Sequence, residues 1–239
     1  MKRSFLLSIG AVLFLATVSF GLTLGHPKLI SKTTDRVRWT QCAFGPDGVL
    51  WVVWVPGDTN RGSGGPVWVA SYDGTVVRGP DNVTESTAVL ANRPHISVSP
   101  KGSVIVSWGI DADKSIHLRI RDVQGSWGAI ETVSTGLGGD EPAAFMDKAG
   151  NIHVVFSDEV GGSVYALSKI NGAWENAVKL STGFGQHGSL ALGTDGAAHA
   201  VWVERSGSSG NNYENYYAKR TASTSWSTGE ALTGQSGSA

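Results

Sequence analysis

From about residue 41 onward, apolar and polar positions recur in the same order four times. Each time a short apolar stretch runs into a polar turn with a glycine, and a denser apolar stretch follows. The copies are Phe44-Gly-Pro-Asp-Gly-Val-Leu-Trp-Val-Val-Trp54, Val98-Ser-Pro-Lys-Gly-Ser-Val-Ile-Val-Ser-Trp108, Met146-Asp-Lys-Ala-Gly-Asn-Ile-His-Val-Val-Phe156 and Leu192-Gly-Thr-Asp-Gly-Ala-Ala-His-Ala-Val-Trp202. The turn glycines Gly48, Gly102, Gly150 and Gly196 are spaced about 46–54 residues apart. Six positions after each stands an aromatic: Trp54, Trp108, Phe156 and Trp202. A second tryptophan closes three of the units, at Trp127, Trp174 and Trp226.

Period-two alternation and turn chemistry predict the elements of one unit. Asp47-Gly48 and Asp195-Gly196 predict two-residue hairpin loops of type I′, which need positive φ at both central residues. Lys101-Gly102 and Ala149-Gly150 fill the same slot more weakly. A strand precedes each turn, as at His95–Ser99 and Ser189–Leu192. The strand after it is apolar on both faces: Leu50, Val52 and Trp54 alternate with Trp51 and Val53. Strands apolar on both faces are buried on both sides. Third strands are predicted at Val67–Ser71, Ser115–Ile120, Val164–Lys169 and Asn215–Arg220, and fourth strands at Ala129–Val133, Ala177–Leu180 and Glu230–Thr233. No capped helical period follows residue 25. The chain is therefore expected to be all-β: a β-propeller of four-stranded antiparallel blades, about four in number. A β-sandwich also gives many short strands, but it does not require a turn glycine and an aromatic in fixed register four times. The units run over about 41–87, 88–139, 140–186 and 187–234.

The pattern Pro-x-x-x-x-Asp-x-x-Gly-x-x-His-x-x-Trp, best seen from Pro142 to Phe156, resembles the repeat of bacterial secreted propellers in the sialidase-like superfamily. The resemblance covers Pro27 to Thr233. It implies the propeller fold and raises glycoside hydrolysis as an activity. No turn completes the superfamily's Asp box, and there is no Arg-Ile-Pro motif, so its catalytic arginines and tyrosine find no counterparts by position.

The blade count leaves a remainder. Pro27–Ser31 resembles the outer strand Ala177–Ser181, and Glu230–Thr233 fills the same slot, giving four units plus one spare outer strand. Four arrangements fit this count: a fragment of a longer propeller, an open arc, a ring completed by self-association, or a closed four-bladed monomer with one strand displaced.

Composition narrows the classes. The chain has 239 residues, 32 of them Gly and 9 Trp, with one Cys and a formal charge of −1. That balance lacks the basic footprint of a nucleic-acid binder. A single cysteine excludes an internal disulfide framework and a cysteine-rich metal site. Lys2 and Arg3 precede an uncharged stretch, Ser4–Leu24. This predicts a secretory signal over residues 1–25 with cleavage before His26, or alternatively an uncleaved membrane anchor. The propeller repeats then occupy 26–239, and the expected location is secreted, periplasmic or at the cell surface.

Candidate chemistry clusters in three registers. Nine positions before the turn glycines stand Trp39, Arg93, Glu141 and His187, predicted to share one mouth of the ring. Four different capable side chains at one equivalent position suit a binding site; variable loop residues would look the same. After the second strand come Asp111, Asp113, Asp158, Glu159, Glu204 and Arg205, whose carboxylates either face Arg93 or a cation, or cap turns. The third strand carries Trp68, His117, Tyr165 and Tyr217, a sugar-stacking platform or inter-blade packing. His153 and His199 read as structural, and the sequence implies no metal and no cofactor. The expected function is a non-catalytic recognition module for a glycan or an extracellular protein. The alternative is a sialidase-like glycoside hydrolase, with Glu141, Asp158 or Glu204 as acid and Arg93 recognising a carboxylate.

Overall fold

The computed structural model describes residues 28–31, 36–57, 64–110, 112–158, 161–206, 212–221 and 225–232. Every regular element among them is a strand, and the strands form four antiparallel sheets. The first contains β1 (Arg36–Phe44), β2 (Leu50–Gly57), β3 (Trp68–Tyr72) and β4 (Val77–Asn82), in that order. The second contains β5 (Ala91–Val98), β6 (Val104–Ile110), β7 (Ser115–Arg121) and β8 (Glu131–Ser134). In the third, β9 (Asp140–Met146), β10 (Ile152–Asp158) and β11 (Ser163–Ile170) are followed by two short outer pieces, β12 (Ala173–Trp174) and β13 (Val178–Lys179), both paired to β11. The fourth contains β14 (Gly185–Leu192), β15 (Ala198–Ser206), β16 (Asn212–Arg220) and β17 (Glu230–Ala231).

The turns between first and second strands are longer than the two-residue loops expected. Gly48 N–H donates to Gly45 O at 3.0 Å, and Gly45 N–H donates to Val49 O at 2.8 Å. The same pair of bonds recurs around Gly102, Gly150 and Gly196. Only the glycine of each turn has positive φ (78°, 96°, 94° and 81°), so the geometry is a type I turn closed by a left-handed glycine rather than type I′. The aspartates act through their side chains: Asp47 Oδ1 accepts from Val49 N–H at 3.1 Å, and Asp195 Oδ1 from Ala197 N–H at 3.0 Å.

The two-faced apolar strands pack between neighbouring sheets, as their pattern requires. Val53, Val55, Val67, Val69 and Val83 of the first unit bury against Val104, Val106 and Trp108. Ile105, Ile116, Leu118 and Val133 bury against Ile152, Val154 and Phe156. Val155, Val164, Ala166 and Leu180 bury against Ala198, Ala200 and Trp202. The repeat aromatic thus fills each space between sheets, where a large buried ring supplies the greatest single area of contact. Outside these cores runs a second period. Glu85, Glu131 and Glu175 each pair with a cation on the third strand of the next sheet: Arg119 at 2.5 Å, Lys169 at 2.6 Å and Arg220 at 2.7 Å.

The series of buried interfaces stops at the fourth sheet. Val201, equivalent to the fully buried Val53, Ser107 and Val155, is 40% exposed. Leu232, equivalent to the buried Val83, Val133 and Leu180, is 55% exposed. Among the described residues no hydrophobic cluster joins the fourth sheet to the first. Among the described residues, the four sheets thus follow one another with no buried interface closing the fourth onto the first. Lys28–Ser31 is not in a strand; Ile30 packs instead on the outward face of the first sheet, beside Val52, Trp54 and Ala70. Pro27 and the expected signal lie outside the described residues.

Candidate functional site

The four inner strands β1, β5, β9 and β14 each carry an irregularity at the same place. Pairing with the second strand slips between Arg38 and Gln41, between Asn92 and His95, opposite Val155 and Ser157, and between Gln186 and Ser189. In each case two residues oppose one, which defines a β-bulge. The bulged pairs Trp39-Thr40, Arg93-Pro94, Glu141-Pro142 and His187-Gly188 lie opposite Trp54, Trp108, Phe156 and Trp202, the repeat aromatics. The first residue of each pair is left-handed: φ is 49° at Trp39, 37° at Arg93, 48° at Glu141 and 56° at His187. A side chain held there costs about 1–3 kcal/mol and persists only where surrounding structure enforces it.

All four left-handed residues line one cavity of about 600 Å³, together with Thr40, Gln41, His95 and Ser189. This is the mouth expected from the repeat register. Its polar core is a relay across three sheets. Arg93 Nη1 donates to Asp140 Oδ2 at 2.5 Å and to Glu141 Oε1 at 3.0 Å. On the far side of Glu141, His187 Nδ1 lies 2.9 and 2.8 Å from its two carboxylate oxygens. Asp140 is buried and also accepts from Glu141 N–H at 3.0 Å. Trp39 is half-buried, its ring resting on the core between the first and second sheets. His95 lies beside Phe145, with ring centroids 5.2 Å apart, and burial pulls its pKa down from 6.5 to about 4. Its Nδ1 accepts from Ala144 N–H at 3.4 Å, which fixes a neutral ring with the proton on Nε2.

The other candidates are placed elsewhere. Glu204 is buried away from the mouth: Oε1 accepts from Thr182 N–H and Oγ1 and from Gly183 N–H, and Oε2 accepts from Trp202 Nε1. Asp158 closes the turn after β10, where its carbonyl accepts from Gly162 N–H at 2.7 Å. Asp111 and Glu159 lie outside the described residues. Tyr165 and His117 face the spaces between sheets, whereas Trp68 lies on the outward face of the first sheet. Tyr165 stacks on Phe156 at 5.6 Å and His117 on Trp108 at 5.9 Å, while Trp68 pairs across the strand with Trp54. In the fourth sheet the equivalent is Tyr216, stacked on Trp202 at 5.9 Å. Tyr217 is one residue out of that register and lies on the open face, with its hydroxyl 2.8 Å from His199 Nδ1. His153 is buried, 2.9 Å from Ser168 Oγ. Among the described residues no three His, Cys, Asp or Glu side chains are grouped to hold a metal ion.

Sequence reasoning missed Asp140 and His95. The signal for Asp140 was the adjacent pair Asp140-Glu141 at the start of an inner strand; for His95 it was the position two residues beyond the bulge, which returns a side chain to the same face.

Solved structures share the fold. The α-L-arabinanase of Penicillium chrysogenum, complexed with arabinobiose, superposes with a TM-score of 0.58 at 16% identity, over 85% of this chain and 68% of its own. The α-L-arabinofuranosidase of glycoside hydrolase family 93 from Fusarium graminearum gives 0.57 at 14% identity, over 86% of this chain and 70% of its own. The fold is a β-propeller. The lectin of Aleuria aurantia is also similar, at 0.54 and 14% identity, over 82% of this chain and 62% of the lectin. No protein-family profile matches the chain, and no curated protein matches it by sequence.

Proposed function

We propose that the protein is a non-catalytic recognition module that binds a glycan at the propeller mouth. One observation carries this reading. Four equivalent bulges hold four chemically different side chains in a strained backbone state, and all four converge on one cavity. Glycine would relieve that strain at each position, so the side chains are kept for what they touch. The cavity has the size of a small-ligand site and mixes an indole with hydroxyl, amide and charged groups. The three structural neighbours described above were each solved with a disaccharide.

The mouth is less suited to hydrolysis. A two-carboxylate glycosidase needs carboxyl groups about 6.5–9.5 Å apart to invert, or about 5–5.5 Å apart on either side of the scissile bond to retain; a sialidase uses a tyrosine and an arginine cluster instead, and none of the described residues lining the cavity is a tyrosine. Asp140 and Glu141 are chain neighbours that share one guanidinium nitrogen. Both are spent on Arg93, and Asp140 is buried outside the cavity lining. Glu204 is committed to the 182–183 loop.

The test pairs a glycan array with fluorogenic glycoside assays. Wild type should bind without turnover, and Trp39→Ala and Arg93→Ala should lose binding. Turnover that disappears in Glu141→Gln would overturn the non-catalytic reading. We also propose export through the N-terminal segment, and self-association through the open face around Val201 and Leu232. N-terminal sequencing of the exported protein and sedimentation of Val201→Glu beside wild type test these two proposals.

A further inference from the structure

We propose that the mouth takes neutral glycans and excludes those carrying a carboxylate, an inference that rests on the mouth being the glycan site. Arg93 is the one permanently charged cation among the described residues lining the cavity. A guanidinium is the usual clamp for a sugar carboxylate, because its planar fork of N–H groups matches two oxygens. Here its Nη1 nitrogen, which carries two protons, is already engaged twice: by Asp140 at 2.5 Å and by Glu141 at 3.0 Å.

Neither carboxylate is free to leave. Asp140 is buried, and its second oxygen is tied to Glu141 N–H. Glu141 is held from the other side by His187, and its backbone is fixed in the bulge. Two carboxylates thus surround the one permanent cation: Glu141, which lines the cavity with His187 on its far side, and Asp140, buried behind it. His95 does not change the balance, because burial keeps its ring neutral. A ligand carboxylate approaching Arg93 meets two like charges at the same nitrogen, and carboxylates that close disfavour one another's charged forms. What the mouth does offer is the Trp39 ring and the hydroxyl and amide groups of Thr40, Gln41 and Ser189. These suit the faces and hydroxyls of an uncharged sugar.

The experiment compares oligosaccharide pairs that differ in a carboxylate, such as galacto- and galacturono-oligosaccharides of equal length, by titration calorimetry. Wild type is expected to bind the neutral member at least about tenfold more tightly, as like-charge repulsion implies. Glu141→Gln, alone and with Asp140→Asn, is expected to narrow or reverse that ratio, because each change removes one of the competing anions. Glu141→Gln alone keeps the test valid if Asp140→Asn does not fold. A wild type that binds the acidic member equally or better overturns the inference and leaves the glycan-binding reading intact. So does a ratio that Glu141→Gln fails to move. Binding of neither member, or neutral binding unaffected by Trp39→Ala and Arg93→Ala, overturns the mouth reading itself.

Discussion

Replacing Glu204 separates a structural carboxylate from a functional one. Its side chain is 1% exposed and serves four donors. Oε1 accepts from Thr182 N–H at 3.0 Å, from Thr182 Oγ1 at 2.7 Å and from Gly183 N–H, while Oε2 accepts from Trp202 Nε1 at 2.9 Å. Alanine removes every acceptor at once. Trp202 is buried, so its indole N–H is left without a partner, at a cost of about 1–3 kcal/mol. The loop donors are part-exposed, and water recovers some of their loss. Together with the void left behind, the expected destabilisation is about 2–4 kcal/mol. At roughly 2–4 °C per kcal/mol for a domain of this size, the thermal midpoint should fall by about 5–15 °C. Glutamine keeps the shape and one oxygen but turns an N–H toward the Trp202 N–H, so it should cost about 1–2 kcal/mol. Urea unfolding followed by tryptophan fluorescence reads both variants. A Glu204→Ala protein that unfolds within about 2 °C of wild type, yet has lost ligand binding, would refute the assignment and return Glu204 to the binding site.

Three further expectations follow from other parts of the structure. His187→Gly should leave stability unchanged or raise it by up to about 1 kcal/mol, because a left-handed backbone suits glycine, while ligand affinity falls; paired melting and binding curves check this. Burial lowers the pKa of His95 to about 4 from 6.5, so the unfolded chain takes up the proton first. The stability contribution is therefore full above about pH 6.5 and declines towards pH 4, by up to about 3 kcal/mol. His117 and His153, both lowered chiefly by burial, act in the same direction. Urea midpoints at several pH values should show a shallower acid slope in His95→Gln. Val155→Glu buries a charge between sheets and should prevent folding, whereas Val201→Glu, at the equivalent exposed position, should cost no more than about 0.5 kcal/mol; circular dichroism melts of the two distinguish them.

The sheets were legible in the sequence because their signal is local and repeated. A turn glycine and an aromatic six residues later mark a strand whose alternation is then easy to read. The turn type was misread because Asp47-Gly48 satisfies two geometries, and the choice between them depends on Gly45, whose N–H and carbonyl close the longer loop. The mouth residues Trp39, Arg93, Glu141 and His187 were found by counting back from the glycines, although nothing local marks a bulge there. Tyr217 was placed one register off because Tyr216 and Tyr217 are adjacent, and only the pairing of Tyr216 with Trp202 separates them. Asp140 and Glu204 were opaque for a different reason. Whether a carboxylate is spent on a neighbour or offered to a ligand depends on partners far along the chain, Arg93 in one case and the 182–183 loop in the other.

The bulges have a consequence for how this surface can change. Each strained residue lies opposite a blade aromatic and lines the mouth, so Arg93, Glu141 and His187 stay outside the cores between sheets, with Arg93 answering the charge of buried Asp140. Folding information and recognition information are written on different residues of the same repeat. Exchanging His187, the most exposed of the three, should therefore change what the mouth holds while the frame stays folded, whereas position 93 must keep the charge that answers buried Asp140: a socket with one exchangeable wall in a fixed frame.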